Sequence, residues 1–251
     1  MSNFVLGDCL EAMREMPDKA YQLAIVDPPY GGGAQLMQEI ASAANVDASA
    51  GGSTATSRTI RGGADSMPTA SVKCGRTGGT WATKYQTNGG IFDHDIRHWD
   101  IAPTPEYFHE LRRVSENQVI WGGNYFRLPE NRCFLVWRKT NIPLKGFTMA
   151  PCEYAWTSFN ANAAMFEFSS SGTPDNPRFH PTQKPIELYE WVLGLFASEG
   201  DRILDTHAGS GSLEIACERL GYEYTAYEIN ETYYRLATER LERERMQGRL
   251  F

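Results

Sequence analysis

The stretch RILDTHAGSGSLEIACERLG, Arg202 to Gly221, constrains the fold more than any other part of the chain. Apolar Ile203 and Leu204 lead to Asp205; Gly209 and Gly211 follow; then Leu213, Ile215, Ala216 and Leu220 recur at helical spacing. That is a strand, a tight turn and a helix. EYTAYEIN then reads as a further strand ending at Glu228. Strands alternating with helices demand a mainly parallel sheet covered on both faces. Small residues in the turn let the backbone pass close to a ligand, and the helix behind it presents free N–H groups. Glu228 lies about 17 residues past Gly211, where an acid can accept hydrogen bonds from both ribose hydroxyls of a nucleoside. Glu214 occupies the spacing of the third fingerprint glycine, so no pyrophosphate site is indicated. The glycines alone fit an ordinary strand–helix turn; Asp205 before them and Glu228 after them favour a nucleoside-like cofactor.

The rest of the chain is consistent with one such domain over residues 1–251, with a region inserted at 31–90. The 41% of hydrophobic residues allow a real core. No apolar run reaches membrane-spanning length, and a basic segment followed by an apolar one is missing at the start, so the expectation is a soluble, cytoplasmic protein with no membrane partner. Cys9, Cys74, Cys133, Cys152 and Cys217 are odd in number and form no CxxC pair, which argues against a disulfide framework or a structural zinc. A net charge of −7 disfavours a non-specific nucleic-acid binder but permits a local basic face. Residues 31–90 supply one. They are rich in Gly, Ala, Ser and Thr and carry Arg58, Arg61, Lys73, Arg76 and Lys84 with few acids. They read as a mobile insertion suited to gripping phosphates.

Before that insertion, GDCLEAMREMPDKAYQLAIVD reads as a helix and then a strand, and the strand ends in DPPY, Asp27 to Tyr30. After it, TPEYFHELRRVS is a helix with a Thr-Pro start. QVIWGG is a strand, CFLVWRK and CEYAWTSF form an antiparallel hairpin at one edge, and TQKPIELYEWVLGLFAS is a helix. HPTQKP, His180 to Pro185, reads by itself as that helix's start, with Thr182 as cap and Pro185 in the first turn. His94 and His98, four apart between acids, read as a surface turn and not as a metal site. Arg138 and Lys139, with Arg127 and Arg132 near them, read equally as a phosphate contact or a solvated edge. Trp121, Phe134 and Trp137 read as core aromatics.

Together, DPPY, HPTQKP, DTHAGSGS (Asp205 to Ser212) and GDCLEAM (Gly7 to Met13) resemble the motifs of the exocyclic-amino DNA methyltransferases that use S-adenosylmethionine. DPPY ahead of a variable region and of HPTQKP and the glycine motif is similar to their β group. The resemblance spans about two thirds of the chain and omits the 31–90 insertion. It implies a Rossmann-like, mixed seven-stranded sheet with helices on both faces. It implies Asp205 and the backbone at Gly209 and Gly211 around the methionine part of the cofactor. It places Glu228 on the ribose, Asp8 on the cofactor's adenine amine, Thr182 and Lys184 beside the cofactor carboxylate, and His180 close by. No metal is implied. Double-stranded DNA is the implied partner, with a homodimer and a separate restriction endonuclease as further candidates. Where the family has Pro-Phe after the strand-end acid, this chain has Thr206 and His207, and His207 can stack in the place of the Phe.

The chemistry expected of DPPY follows from its residues. An exocyclic amine on a base is a poor nucleophile because its lone pair is delocalised into the ring. Two acceptors on its two N–H bonds favour a tetrahedral nitrogen. Asp27 offers a carboxylate, Pro28 a backbone carbonyl, and Pro28 and Pro29 fix φ so that the carbonyl keeps its direction. Tyr30 offers a ring for a base flipped out of the duplex. Adenine N6 and cytosine N4 both fit; the initial Asp leans to adenine within the resemblance. An RNA or protein-amide methyltransferase and an inactive DNA-binding regulator remain alternatives.

Overall fold

The computed structural model describes residues 2–31, 100–145, 150–172 and 176–248. The expected insertion therefore lies, apart from Gly31, outside the described residues, as do His94 and His98.

The apolar runs become strands of one sheet. They are β1 (Asn3–Leu6), β2 (Tyr21–Val26), β3 (Ser115–Trp121), β4 (Phe134–Lys139), β5 (Cys152–Thr157), β6 (Ala164–Phe168), β7 (Arg202–Asp205) and β8 (Glu223–Glu228). The sheet order is β1-β8-β7-β2-β3-β5-β4-β6. All neighbours pair in parallel except β5, which runs antiparallel to both β3 and β4. Two expectations are corrected. The sheet has eight strands among the described residues, not seven, and the β4–β5 hairpin is internal because β6 covers β4 and forms the edge. The first strand, NFVL, adds an element ahead of the first helix that the sequence pattern does not announce.

Helices cover both faces. On one lie α1 (Cys9–Glu15) and α2 (Pro105–Val114); on the other lie α3 (Ile186–Phe196), α4 (Ser212–Leu220) and α5 (Glu231–Gly248). Strand alternation sorts the core between them. Leu23 and Ile25 face the α3–α4 side with Leu188, Val192 and Leu213, while Ala24 and Val26 face the α1–α2 side with Met13 and Leu111. Residues on both faces of β2 are fully buried, as a central parallel strand requires. Thr104 and Pro105 open α2 as expected. For α3 the N-cap is Pro185, not Thr182, because the chain stays extended through the proline. Arg113 ties the faces of α1 and α2 together: it donates to the carbonyls of Met13 and Met16 and pairs with Asp18 and Glu110.

Candidate active site

Parallel strands deliver their C-terminal ends to the same side of the sheet, where ligands of such folds bind. Here four adjacent strands, β1, β8, β7 and β2, each end at or just before a carboxylate: Asp8, Glu228, Asp205 and Asp27. The register of β1 on β8 sets Leu6 against Glu228, and the Gly7 N–H donates to the Glu228 carbonyl at 2.9 Å. Asp8 is thereby held beside Glu228, although nearly the whole sequence separates them. Its Oδ1 caps α1, accepting from the N–H groups of Leu10 at 2.7 Å and Glu11 at 3.2 Å.

The glycine turn is built around Glu228. Its Oε2 accepts the Gly209 N–H at 2.8 Å and its Oε1 accepts the Asn230 N–H at 2.8 Å. Gly209 and Gly211 have positive φ, +54° and +73°. A Cβ on Gly209 would meet the His180 ring at 3.2 Å, and one on Gly211 would meet Ala237 at 3.3 Å. The turn is therefore pressed onto its supports, and only glycine allows it. His180 stacks edge-on against Tyr233, and its Nδ1 lies 3.2 Å from Thr182 Oγ1. Burial, helped by Lys184 and Arg178, lowers the His180 ring to about 3, so it is neutral. His207, lowered to about 4 by burial, packs edge-on against Tyr107, and its Nδ1 meets Thr206 Oγ1 at 2.9 Å.

Beneath the turn is an acid pair that sequence reading missed. Glu214 on α4 is wholly buried, and neither of its oxygens meets an N–H or O–H donor. It faces Asp205, and the charge of Asp205 adds to burial in favouring the protonated form of Glu214. Burial pushes Asp205 up to about 7 and raises Glu214 well above its ordinary value. Arg240 of α5 donates to the Ser210 carbonyl at 2.7 Å and to Ser212 Oγ at 2.9 Å, holding the turn from behind.

The DPPY segment forms the other half of the site. The Tyr30 hydroxyl donates to Asp27 Oδ1 at 3.0 Å. The Tyr30 ring stacks on Tyr125 at 4.6 Å between centroids and meets Phe126 edge-on. Lys184, which the resemblance sets beside a cofactor carboxylate, pairs its Nζ with Asp27 Oδ2 and lies 3.3 Å from Glu153 Oε2. Glu153 Oε1 in turn receives Lys139 Nζ at 2.5 Å. Burial raises the Asp27 carboxyl and Lys184 pulls it back. Burial also works against Glu153 and Lys184, yet the cations hold Glu153 below its ordinary value and the two carboxylates hold Lys184 above its own. Lys139 is thus not a solvated edge, and Arg138 is turned to the carbonyls of Ile142 and Pro151 at 3.0 and 3.2 Å. Glu153 had no signal in CEYAWT; only the pairing of β5 with β3 and β4 brings it here.

The comparisons with known proteins bear on this geometry. Residues 136–239 match a family model described as DNA methylase, of the N6/N4 type. That segment, less than half of the chain, is similar to the N6/N4 DNA methylases. Over 69 residues it is 42% identical to the Type II methyltransferase M.HpaI of Haemophilus parainfluenzae, a stretch covering 28% of this chain and 22% of that protein. The alignment thus spans under a quarter of that relative's length. In fold it resembles TTHA0409 of Thermus thermophilus, a candidate DNA modification methylase, at TM-score 0.52 and 16% identity, covering 97% of this chain and 95% of that one. It likewise resembles the cytosine-N4-specific PvuII DNA methyltransferase at TM-score 0.51 and 12% identity, covering 97% and 92%. The matched segment contains Glu153, His180, Thr182, Lys184, Asp205, Gly209, Gly211 and Glu228; Asp8 and Asp27 to Tyr30 lie before it. Among the described residues, no helix is long and apolar enough to cross a membrane, and no group of three His, Cys, Asp or Glu residues is arranged to hold a metal.

Proposed function

We propose that this chain methylates an exocyclic amine of a base in double-stranded DNA, adenine N6 before cytosine N4, with S-adenosylmethionine as donor. The observation that carries the reading is the row of carboxylates Asp8, Glu228, Asp205 and Asp27 on consecutive parallel strands, with the glycine turn between Glu228 and Asp205 and the Tyr30 ring beside Asp27.

The residues present fit the cofactor. Each Glu228 oxygen takes one backbone N–H and keeps a lone pair for a ribose hydroxyl. The turn at Gly209 and Gly211 carries no side chain, so its backbone N–H groups are the part of it that a ligand would meet. Asp8 would meet the adenine amine. Asp205 and the turn backbone would hold the methionine part, with His180 and Thr182 flanking it. Bound there, S-adenosylmethionine supplies an electrophilic methyl group.

The chain's own residues prepare the nucleophile. Asp27 accepts one amine N–H and the Pro28 carbonyl accepts the other, so the nitrogen lone pair is freed and aimed. The Asp27 carboxylate stabilises positive charge as it develops on that nitrogen. The flipped base takes the place of the exposed Tyr125 ring against Tyr30, a stack worth about 1–3 kcal/mol. Asp27 and the Pro28 carbonyl suit an amine on either base, which keeps cytosine N4 as the second reading.

The test is labelled methyl transfer offered in parallel to DNA, RNA and protein, followed by identification of the modified base. Label in DNA as N6-methyladenine is expected; label only in RNA or protein overturns the reading. Asp27→Ala should abolish transfer and leave cofactor affinity within several-fold by calorimetry.

A further inference from the structure

Lys139, Glu153, Lys184 and Asp27 make a row of alternating charge across the top of the sheet, from β4 through β5 to the end of β2. Lys184 occupies the decisive place in it. Its side chain is 2% exposed, so water does not compete for the ammonium, and the Trp121 ring lies 5.5 Å from Nζ. It touches two carboxylates on different strands: Asp27 closely, and Glu153 Oε2 at 3.3 Å.

This arrangement bears on how Asp27 becomes available. Asp27 Oδ1 already receives the Tyr30 hydroxyl and Oδ2 the Lys184 ammonium. An ammonium held on a carboxylate weakens it as an acceptor for a neutral amine. Yet a buried ammonium that loses its counter-charge is left at a cost of several kcal/mol. Glu153 removes that obstacle because it is already beside Nζ. Lys139, on the opposite oxygen, fixes the direction in which Glu153 Oε2 points.

We propose that Lys184 is a shared cation, which shifts from Asp27 onto Glu153 when the target amine takes Asp27, and that Glu153, braced by Lys139, is the positioning residue for this exchange. The inference rests on the reading of Asp27 as the amine's acceptor. No covalent bond forms or breaks in the exchange, and the proton stays on Lys184. Among the described residues, Lys184, Glu153, Tyr30, Tyr107, Tyr189 and Asp205 act on the Asp27 carboxylate or feel it. Of these, only Lys184 is a cation.

The experiment compares the wild type, Glu153→Gln and the double variant Glu153→Gln/Lys139→Met. The double variant avoids stranding Lys139 and so guards against a folding defect. Two quantities are read: the titration of the Asp27 carboxyl by carbon NMR in the ligand-free protein, and kcat and KM for methyl transfer to DNA with the cofactor Kd measured alongside. Without Glu153, Lys184 rests on Asp27 alone and one nearby negative charge is gone. The Asp27 midpoint should fall by about one pH unit in both variants. The kcat should fall about tenfold or more, with cofactor Kd within twofold. An unmoved midpoint, or a kcat within twofold of wild type in the folded double variant, overturns the proposal. If the wild type transfers no methyl to DNA, the functional reading fails, while the Asp27 titration still decides whether Glu153 shares Lys184.

Discussion

Gly122 and Tyr30 compete for one volume: a Cβ on Gly122 would lie 2.1 Å from Tyr30 Cε1. Gly122 follows β3 with φ of +67°, and its N–H donates to the Tyr154 carbonyl at 2.8 Å. The backbone there cannot retreat without breaking the sheet's top edge, so the tyrosine must. Gly122→Ala should displace the Tyr30 ring and lower methyl transfer about a hundredfold, since a misplacement near 1 Å can cost that much. Cofactor affinity should hold, because the turn at Gly209 is not touched. Calorimetry beside the transfer assay checks this; an equal loss in both would place the damage in the fold.

Glu228 carries two backbone N–H groups as well as its proposed ribose contacts. Glu228→Gln keeps the shape but exchanges one acceptor oxygen for a donor. Hydrogen bonds to a charged group are worth about 1.5–3 kcal/mol, so S-adenosylmethionine binding should weaken about tenfold to a hundredfold. A calorimetric Kd within twofold of wild type would remove Glu228 from the cofactor site.

The Asp205–Glu214 pair predicts a pH trend in stability. Burial raises both carboxyl groups, Asp205 to about 7, against about 4 in the unfolded chain. A carboxyl raised in the folded state contributes fully below its unfolded value and loses that contribution as pH rises through its folded value. Wild-type stability should therefore decline from about pH 4 to beyond 7 through this pair. Glu214→Gln places a neutral amide beside Asp205 and removes one of the two titrations. Its Tm relative to wild type should improve between about pH 5 and pH 8. A constant difference across that range would show that burial does not raise the Glu214 carboxyl.

Leu204 precedes Asp205 in β7 and is fully buried on the α1–α2 side of the sheet. Leu204→Ala should cost about 2–5 kcal/mol. Denaturant unfolding measures it; a loss under 1 kcal/mol, on the order of a single methylene, would mean the site had collapsed around the gap.

Much of this was legible in the sequence, and the limits have physical causes. Ile203 to Leu220 announced strand, turn and helix because hydrophobic periodicity and glycine placement are local signals. NFVL is four residues with no polar alternation, and AMFEF is half exposed, so β1 and β6 lacked such a signal. Asp27, Asp205 and Glu228 were legible because each ends a strand-like run, whereas Asp8 came only from the resemblance of GDCLEAM. Glu153 and Glu214 were not: one sits inside an aromatic strand and the other inside a helix, and their meaning arises from Lys184 and Asp205, which only the tertiary fold brings near. Arg138 and Lys139 looked alike in sequence, yet strand alternation sends one toward loop carbonyls and the other into the charge row.

The pairing of β1 with β8 has a consequence for when the site can exist. It joins the earliest described strand to the last one, so the contact between Asp8's loop and Glu228 closes the longest loop in the sheet. Such distant contacts form late in folding and bear the largest closure entropy. During synthesis, a chain whose β8 is still in the ribosome holds Asp8 and Asp27 but has no Glu228 to anchor the glycine turn. Ligand binding should then switch on in one step, after the final strand docks, and a folding nascent chain should remain without cofactor until that moment.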